Sequence, residues 1–466
     1  MNLFKKDYDV NAKCSIWERT AYGIGKFGNN LAYVLISTFF LFYCTNYLKL
    51  NSGIVGTLIL VSKFMDGISD FIMGSIIDRT KSKMGKARVW LLRACIPYAV
   101  VNVLLFSVPS GATMVVKYVY VFVLYNLAST VLFTCVDGAI NTLNCLITKN
   151  QYERGVLGIF FIIGNAVAMM AVNSYTLKLV QMFGDNVRAW TYAVLVFEVI
   201  GVIAQLICVF SVTERVTLDR QNQNHEETDK KEEKAGLIEG IKALLKNKYW
   251  VRVTGSSVGI QLVTSVLLAS VVYYTSVVLN DADSMSSLNN GLIFAQIIVA
   301  AFSFMIFKKL GKGKAFLVGV VIALLPGFAQ IFGSRSYTVL LITNIIRGVG
   351  YGIAGPVQSG MLSDTIEYGE WKTGIRTEGL ANGSLGMGSK IGAGLGTSIV
   401  GWILAFGGYD GSAAVQTAKA ISAVKFCYIY IPMIVFALIL VIMWGYKLDD
   451  EYPTVIKELE ERKKNK

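Results

Sequence analysis

Apolar segments and short polar turns alternate along the whole chain. Twelve of the segments are close to the ~20 residues that one membrane crossing needs. A longer polar stretch, 213–249, separates six segments from six. We therefore predict an all-α membrane protein with twelve transmembrane helices in two six-helix bundles, residues 1–212 and 250–466. The predicted spans are 20–46, 53–78, 88–108, 114–146, 155–178, 190–212, 250–279, 288–307, 314–333, 337–362, 378–407 and 420–446.

The stretch 213–249 is predicted to be a cytoplasmic linker. It begins as a charged, solvated segment that contains the only histidine, His225. It ends in GLIEGIKALLKNKYW, where apolar residues recur at helical spacing against lysines, which is typical of a helix lying on a membrane surface. The predicted apolar stripe of this amphipathic helix consists of Leu237, Ile238, Ile241, Leu244 and Leu245.

Composition supports an integral membrane protein. Among the 466 residues, 54% are hydrophobic and only 16% are charged, which excludes an ordinary soluble domain. The net charge of +13 would suit a nucleic-acid-binding protein, but the basic residues lie mainly in short turns between apolar segments. That distribution is typical of membrane anchoring, so we expect the lipid bilayer as a partner and no nucleic acid. We also expect a monomer.

Basic residues are distributed unequally between the two sides of the membrane. The turns after the second and eighth spans are strongly basic, whereas the turns on the opposite side contain few lysines or arginines. By the positive-inside rule, this multi-pass protein of the cell membrane has both termini in the cytoplasm. The basic residues that decide the orientation are Arg79, Lys81, Lys83, Lys86, Arg88, Lys308, Lys309, Lys312 and Lys314.

The second span carries charges in its middle. Lys63, Asp66 and Asp70 are three and four residues apart, so they share one face of a helix. A carboxylate in the middle of a membrane costs roughly 3 kcal/mol, so these groups must face protein, water or a bound cation. The pattern favours a transporter; the structural alternative is a buried ion pair of Asp66 and Asp70 with Lys63 that only holds helices together.

Several stretches together resemble the glycoside–pentoside–hexuronide:cation symporters, the group that includes the melibiose permease. They are KFMDGISD followed by GSIIDRTKSKMGKAR, GIGKFGNN in the first span, Glu153-Arg154 after Asp137, and the segment from Asp364 containing GIRTEG and Lys390. The resemblance implies the major facilitator fold. It also implies a secondary active symporter that imports a sugar or glycoside together with Na⁺ or H⁺.

The resemblance implies a cation site on the second and fourth spans. The matching positions are Asp66, Asp70 and Thr134, and Ser69 stands where some members have an asparagine. Oxygen ligands suit Na⁺, and a carboxylate can take a proton instead. We therefore expect Asp66 and Asp70 to be the metal ligands if the coupling ion is Na⁺, and we expect no other cofactor.

The resemblance also implies a sugar site at Asp137, Asn30 and Lys390. Asn141 lies four residues after Asp137, on the same helical face. Carboxylates and amides match sugar hydroxyls, which both donate and accept hydrogen bonds. The structural alternatives are a helix–helix hydrogen bond for Asp137, a counter-ion role for Lys390, and helix–helix contacts for the two asparagines.

A third set of charged residues is predicted to act in gating and anchoring at the cytoplasmic face. Arg347, inside the tenth span, is given no role. The predicted gating residues are Lys63, Asp78, Arg79, Lys86, Arg88, Arg376 and Glu378.

Four positions depart from the pattern of the melibiose-type proteins. Asn141 and Gly355 stand where those proteins have tryptophans, Ile162 stands where an arginine is usual, and Lys26 replaces an aspartate of the first span. An aromatic platform and an arginine are suited to holding a galactoside, so the departures argue against melibiose. They keep open a transporter of the same fold for an amphipathic solute, such as a steroid conjugate or a lipid.

An enzyme is not expected. The chain has no HExxH motif, no histidine cluster and no G-x-S-x-G motif. A channel is the remaining rival, and uptake against a gradient would exclude it.

Overall fold

All regular secondary structure in the described residues is helical. The computed structural model describes residues 9–11, 13–109, 111–222, 237–375, 377–413 and 415–464. Within these ranges we number twelve long helices in chain order. They are α1 (Ile16–Tyr47), α2 (Ser52–Arg79), α3 (Lys86–Leu105), α4 (Met114–Ile147), α5 (Gln151–Met182), α6 (Val187–Ser211), α7 (Lys248–Leu279), α8 (Ser284–Leu310), α9 (Lys312–Phe332), α10 (Tyr337–Thr373), α11 (Glu378–Phe406) and α12 (Ala418–Met443).

Each of the twelve predicted spans corresponds to one of these helices. Eleven are long and apolar enough to cross a membrane, and the exception is the charged helix α2. With 28 residues, α2 is about 42 Å long, which also suffices for a crossing. The predicted all-α architecture of twelve transmembrane helices is therefore confirmed.

The structure corrects the predicted ends of some elements. Helix α10 continues to Thr373, well past the predicted end at 362. The C-terminal tail contains a further helix, Leu448–Lys464, whose Glu458 accepts a hydrogen bond of 2.7 Å from the Trp371 indole of α10. The apolar pattern did not indicate this helix because most of its residues are polar.

The chain divides into two compact units, which contain Met1–Lys230 and Lys231–Tyr409, respectively. The segment Asp410–Ser412 is grouped with the first unit, and Ala413–Lys466 with the second. The division therefore falls inside the predicted linker, and a short helix, Arg215–Asn222, belongs to the first unit.

The predicted amphipathic helix exists as Leu237–Lys246, but its apolar residues do not share one environment. Leu244 is buried, whereas Ile241 and Leu245 are exposed. A Cβ atom at Gly240 would lie 2.4 Å from Leu380 of α11, so this side of the helix packs against protein. Part of the predicted stripe therefore packs against protein, and a position of this helix on the membrane surface stays a prediction. The side chains of Leu237 and Ile238, as well as His225, lie outside the described residues.

Helix α1 packs closely against its neighbours through glycine. A Cβ atom at Gly28 would lie 2.6 Å from the Gly201 carbonyl oxygen of α6, and one at Gly164 of α5 would lie 2.1 Å from the Gly23 carbonyl oxygen. Small residues allow such close approach between membrane helices. The packing places α1 between α5 and α6, which fixes the positions of the polar side chains of α1.

Both units use one carboxylate to cap the helix that follows a basic turn. Glu214 accepts backbone hydrogen bonds from Lys86, Ala87 and Arg88, at 2.8, 3.0 and 2.6 Å, at the start of α3. In the second unit, Asp449 accepts a hydrogen bond of 2.7 Å from the Gly313 amide at the start of α9. A carboxylate there satisfies free amide groups and interacts favourably with the helix dipole. A carboxylate cap after a basic turn in both units is consistent with an internal repeat.

Replacing Gly85 with alanine is expected to destabilise the first unit. Gly85 has a φ of +110°, and an added Cβ would lie 2.3 Å from the Glu214 carboxyl carbon. A residue with a side chain in such a conformation costs about 1–3 kcal/mol. Thermal unfolding of the detergent-purified protein should therefore occur at a lower temperature in Gly85→Ala.

The matched control is Gly158→Ala in α5. An added Cβ there meets nothing within 4 Å, so this variant should be at least as stable as the original protein. Equal unfolding temperatures for both variants would contradict the proposed cap.

Candidate functional site

The Asp66 carboxylate of α2 is buried and has three polar partners. Lys63 Nζ lies 2.8 Å from Asp66 Oδ2, and the Ser129 hydroxyl donates to the same oxygen at 3.2 Å. The Thr130 hydroxyl donates to Asp66 Oδ1. Ser129 and Thr130 lie in a π-helical segment of α4, Asn126–Phe133, a type of distortion that is frequent at functional sites.

Lys63 belongs to this polar cluster and not to the basic turn. Its Nζ atom also donates to Ser129 Oγ at 2.9 Å and lies about 6 Å from the ring centres of Tyr33 and Tyr125. The position is about 24 Å along α2 from Arg79. The structure therefore corrects the prediction that Lys63 acts at the cytoplasmic face, and it shows the ion pair that the sequence left as the alternative.

The two other predicted hydroxyl ligands contact each other. Ser69 Oγ lies 3.2 Å from Thr134 Oγ1, and Ser69 also donates to the Asp66 carbonyl oxygen. The hydroxyls that bond to the Asp66 carboxylate are therefore those of Ser129 and Thr130, and neither residue was among the ligands predicted from the sequence. The π-helical segment alters the register of α4 just before Thr134, and no sequence signal reports such a change.

Asp70 is more open than Asp66. It lies about 40° around the helix from Asp66, on the same side as the buried Ile77. The exposed apolar residues Ile68 and Ile72 lie on the other side of α2. Asp70 itself is exposed, so its carboxylate is accessible from the polar side of the helix. Among the predicted cation ligands, it is the carboxylate best placed to meet water or an ion.

A second polar cluster surrounds Asp137 of α4. Lys26 Nζ lies 2.7 Å from Asp137 Oδ1, and the Asn29 amide donates to the same oxygen at 2.8 Å. The Asn141 amide donates to Asp137 Oδ2 at 2.8 Å. Lys26 also lies 4.5 Å from the ring centre of Phe161. The predicted neighbours Asp137 and Asn141 are thus joined, and Lys26 is the direct counter-ion of the carboxylate.

Asn30 does not join Asp137. Its side-chain amide donates to Asn165 of α5, and the adjacent Asn29 makes the contact with the carboxylate. Asn29, which bonds to Asp137, and Asn165, which accepts from Asn30, were not among the predicted residues, and a role of Asn30 in sugar binding stays a prediction. The lysine in GIGKFGNN was a signal for the counter-ion, but its partner lies 111 positions away in the chain.

One face of α4 connects the two clusters. Thr130, Thr134, Asp137 and Asn141 are spaced by four, three and four residues, so they follow each other along that face. Thr130 bonds to the Asp66 carboxylate, and Asp137 follows about two turns later. A change at one cluster can therefore be transmitted to the other through a single helix.

The other predicted residues lie on α2, α3 and α11 or in the turn before α11. Lys390 is half-buried in α11 of the second unit, Glu378 begins the same helix, and Arg376 lies outside the described residues. Asp78 and Arg79 are exposed at the end of α2. In α3, Lys86 is the first residue, and the Arg88 guanidinium donates to the Val209 carbonyl oxygen of α6 at 2.6 and 2.8 Å.

Arg347 has a structural environment in α10. Its side chain is fully buried and donates to Gln330 Oε1 at 3.0 Å and to Asn344 Oδ1 at 3.2 Å. The Asn344 amide donates in turn to the Tyr428 hydroxyl at 2.7 Å. This network connects α9, α10 and α12 through a charged group.

The chain is similar to sugar transporters over almost its whole length. Residues 21–450 match the model of a family described as MFS/sugar transport protein. The isoprimeverose transporter of Lactiplantibacillus pentosus is 29% identical over 451 residues, which cover 96% of this chain and 91% of that protein. A putative glycoside/cation symporter of Escherichia coli (strain K12) is 26% identical over 438 residues, covering 93% and 92%.

A solved structure supports the fold. The crystal structure of a D-xylose-proton symporter superposes with a TM-score of 0.63 at 16% identity and covers 92% of this chain and 97% of that chain. At this identity the likeness concerns the fold alone. Together with the family match, it confirms the predicted major facilitator fold.

Proposed function

Because this chain belongs to the MFS/sugar transport protein family, we propose that it is a secondary active symporter that imports a sugar or glycoside with Na⁺ or H⁺. The observation that supports this most strongly is the row of polar groups on α4, which joins the Asp66 cluster to the Asp137 cluster. The names of the relatives, an isoprimeverose transporter and a putative glycoside/cation symporter, support the substrate class.

The Asp137 cluster provides the groups that a sugar needs. Lys26 donates, Asp137 accepts, and the Asn141 amide can do both, which matches the hydroxyl groups of a sugar. Asp137 retains 23% side-chain exposure despite its three partners. A sugar hydroxyl can therefore reach it or replace one of the amides. Lys390 and Asn30 remain proposed contributors to sugar binding.

The cation is expected near Asp70. The Asp66 carboxylate already has an ammonium partner in Lys63, so it needs no second cation for neutrality. Asp70, Ser69 and Thr134 provide a carboxylate and two hydroxyl oxygens at the adjacent turn, a set that suits Na⁺ or, at the carboxylate, a proton. A membrane potential of about 100 mV provides roughly 2.3 kcal/mol per charge, so no nucleotide is needed to drive uptake.

The competing functions have less support. The family and the relatives are described as sugar transporters. Transport of an amphipathic solute, such as a steroid conjugate or a lipid, is therefore not favoured. The matched family and the relatives are described as transporters, so an enzyme is not favoured either. The apolar helices support a multi-pass protein of the cell membrane. Cytoplasmic termini and a monomeric state remain proposals.

Uptake assays test the proposed function. Cells that produce the protein are supplied with labelled glycosides, pentosides and hexuronides, including isoprimeverose, with and without Na⁺ and with and without a protonophore. We expect at least one of these sugars to accumulate above its external concentration. Accumulation that requires Na⁺ identifies sodium as the coupling ion, and accumulation abolished by the protonophore alone identifies protons. No accumulation of any sugar in the panel would contradict the proposal.

A further inference from the structure

Two stacked aromatic rings join α1 to α4. The ring of Tyr33 in α1 lies on that of Phe133 in α4, with the ring centres 4.8 Å apart and an angle of 17° between the planes. Both side chains are half-buried. A pair of aromatic rings stabilises its contact beyond the apolar area that it buries, so this stack is a firm connection between the two helices.

Phe133 is directly connected to the proposed cation site. It is the last residue of the π-helical segment of α4, and Thr134 follows it in the chain. The Thr134 hydroxyl lies 3.2 Å from that of Ser69, and both oxygen atoms belong to the cation site proposed at Asp70. A cation that binds there restrains the backbone of α4 at Thr134, and with it the orientation of the Phe133 ring.

Tyr33 lies on the face of α1 that carries part of the Asp137 cluster. It follows Lys26 by seven residues, or two turns, so the two side chains point in directions only about 20° apart. Asn29, one turn before Tyr33, donates to the Asp137 carboxylate. A shift of the Tyr33 ring therefore acts on the segment of α1 that presents Lys26 and Asn29 to Asp137.

The Tyr33 ring also lies beside the Asp66 cluster. Its centre is 6.0 Å from Lys63 Nζ, the ammonium group that pairs with the Asp66 carboxylate at 2.8 Å. An ammonium group at this distance is attracted to the electrons of an aromatic ring. Tyr33 therefore has the charged pair of α2 on one side and Phe133 of α4 on another, and it can respond to a change at either.

We propose that the stacked rings of Tyr33 and Phe133 couple the cation site to sugar binding, with Tyr33 as a positioning residue. A bound cation fixes Thr134, which orients the Phe133 ring. The stack then holds Tyr33, and with it the polar face of α1, against Asp137. The inference rests on the proposed symport, and it holds for Na⁺ and for H⁺. It adds a route through α1 to the row of polar groups on α4.

The quantity that tests the proposal is the cation dependence of sugar affinity. The dissociation constant of a labelled sugar, identified in the uptake assays, is measured on the detergent-purified protein with and without the coupling cation. We call the ratio of these two constants the coupling ratio. Coupling between two sites typically changes affinity about 5- to 150-fold. Because coupling is reciprocal, the sugar must change the affinity for the cation by the same ratio.

Tyr33→Leu and Phe133→Leu should each lower the coupling ratio by about 2- to 10-fold, which corresponds to the loss of one aromatic pair. Sugar affinity without the cation should stay nearly the same, because neither ring is proposed to contact the sugar. Tyr33→Phe keeps the stack and should keep the coupling ratio. The double variant of Tyr33→Leu with Phe133→Leu should lower the ratio no further than either single change, since the two rings act as one pair.

Tyr192→Leu is the matched control. Tyr192 of α6 makes an edge-on contact with Phe183, with 5.8 Å between the ring centres, and its side chain is 51% exposed. The substitution removes an aromatic pair of the same unit that includes no residue of either polar cluster, so the coupling ratio should not change. A ratio that falls equally in Tyr192→Leu would overturn the inference, because the effect would not be specific to the stack.

Further outcomes separate this inference from the proposed function. An unchanged coupling ratio in Tyr33→Leu and Phe133→Leu would overturn the inference and leave the symporter intact. A folded Tyr33→Leu that binds no sugar under either condition would also overturn it, since Tyr33 would then be a sugar ligand. If thermal unfolding shows that Tyr33→Leu does not fold, Phe133→Leu provides the same test. If the unaltered protein binds no sugar, or binds it equally well without a cation, the proposed function itself fails.

Discussion

Asp66→Asn is expected to abolish cation-driven sugar accumulation and to destabilise the protein. The substitution leaves the Lys63 ammonium, whose side chain is only 12% exposed, without its counter-ion. Removing one partner of a buried ion pair typically costs about 3–5 kcal/mol. Uptake assays and thermal unfolding in detergent measure the two effects, which have the same origin in the Asp66 cluster.

The double variant Lys63→Met with Asp66→Asn separates stability from transport. With both charges removed, no charge is left buried alone, so most of the lost stability should return. Accumulation should remain absent because the polar cluster that joins α2 to α4 has lost its carboxylate. A double variant as unstable as Asp66→Asn would show that the ion pair does not stabilise the fold. Normal accumulation in Asp66→Asn would exclude this cluster from coupling.

Asp137→Asn is expected to weaken sugar binding strongly. Asparagine preserves the size of the side chain, but it removes the charge that accepts from Lys26, Asn29 and Asn141. A hydrogen bond to a charged group contributes about 1.5–3 kcal/mol, so binding should fall roughly 10- to 150-fold. Binding is measured as the concentration of unlabelled sugar that halves the uptake of labelled sugar.

Thr142→Ala is the matched control for Asp137→Asn. Thr142 lies on the same helix, but its hydroxyl donates to the Gly138 carbonyl oxygen of its own backbone. Its removal should leave sugar binding unchanged. If Asp137→Asn binds the sugar as tightly as Thr142→Ala does, the sugar site lies elsewhere.

Much of the fold can be predicted from the sequence because each membrane crossing is one continuous segment of the chain. Each span needs about 20 apolar residues in a row, and such runs are visible without any tertiary information. Helix α2 was recognisable for the opposite reason, since three charges at helical spacing stand out in an apolar segment. The tail helix Leu448–Lys464 was missed because it is polar and depends on tertiary contacts such as that of Trp371.

The site could be predicted only in part, since its partners are distant in the chain. Lys63 and Asp66 are one helical turn apart, so their ion pair could be foreseen as an alternative. Lys26 and Asp137 belong to different helices, and only packing brings them together. Asn29 and Asn30 point in directions about 100° apart around α1, so they bond to different partners, Asp137 and Asn165, which the sequence alone does not show.

The most direct test of symport is cation movement driven by sugar. The purified protein is placed in liposomes without an ion gradient, an identified substrate is added outside, and external pH and entry of labelled Na⁺ are recorded. The account predicts that sugar entry brings a cation with it, seen as a rise in external pH or as Na⁺ uptake. The movement should be absent from liposomes that contain Asp66→Asn. Sugar entry with neither proton nor sodium movement would contradict cation-coupled symport.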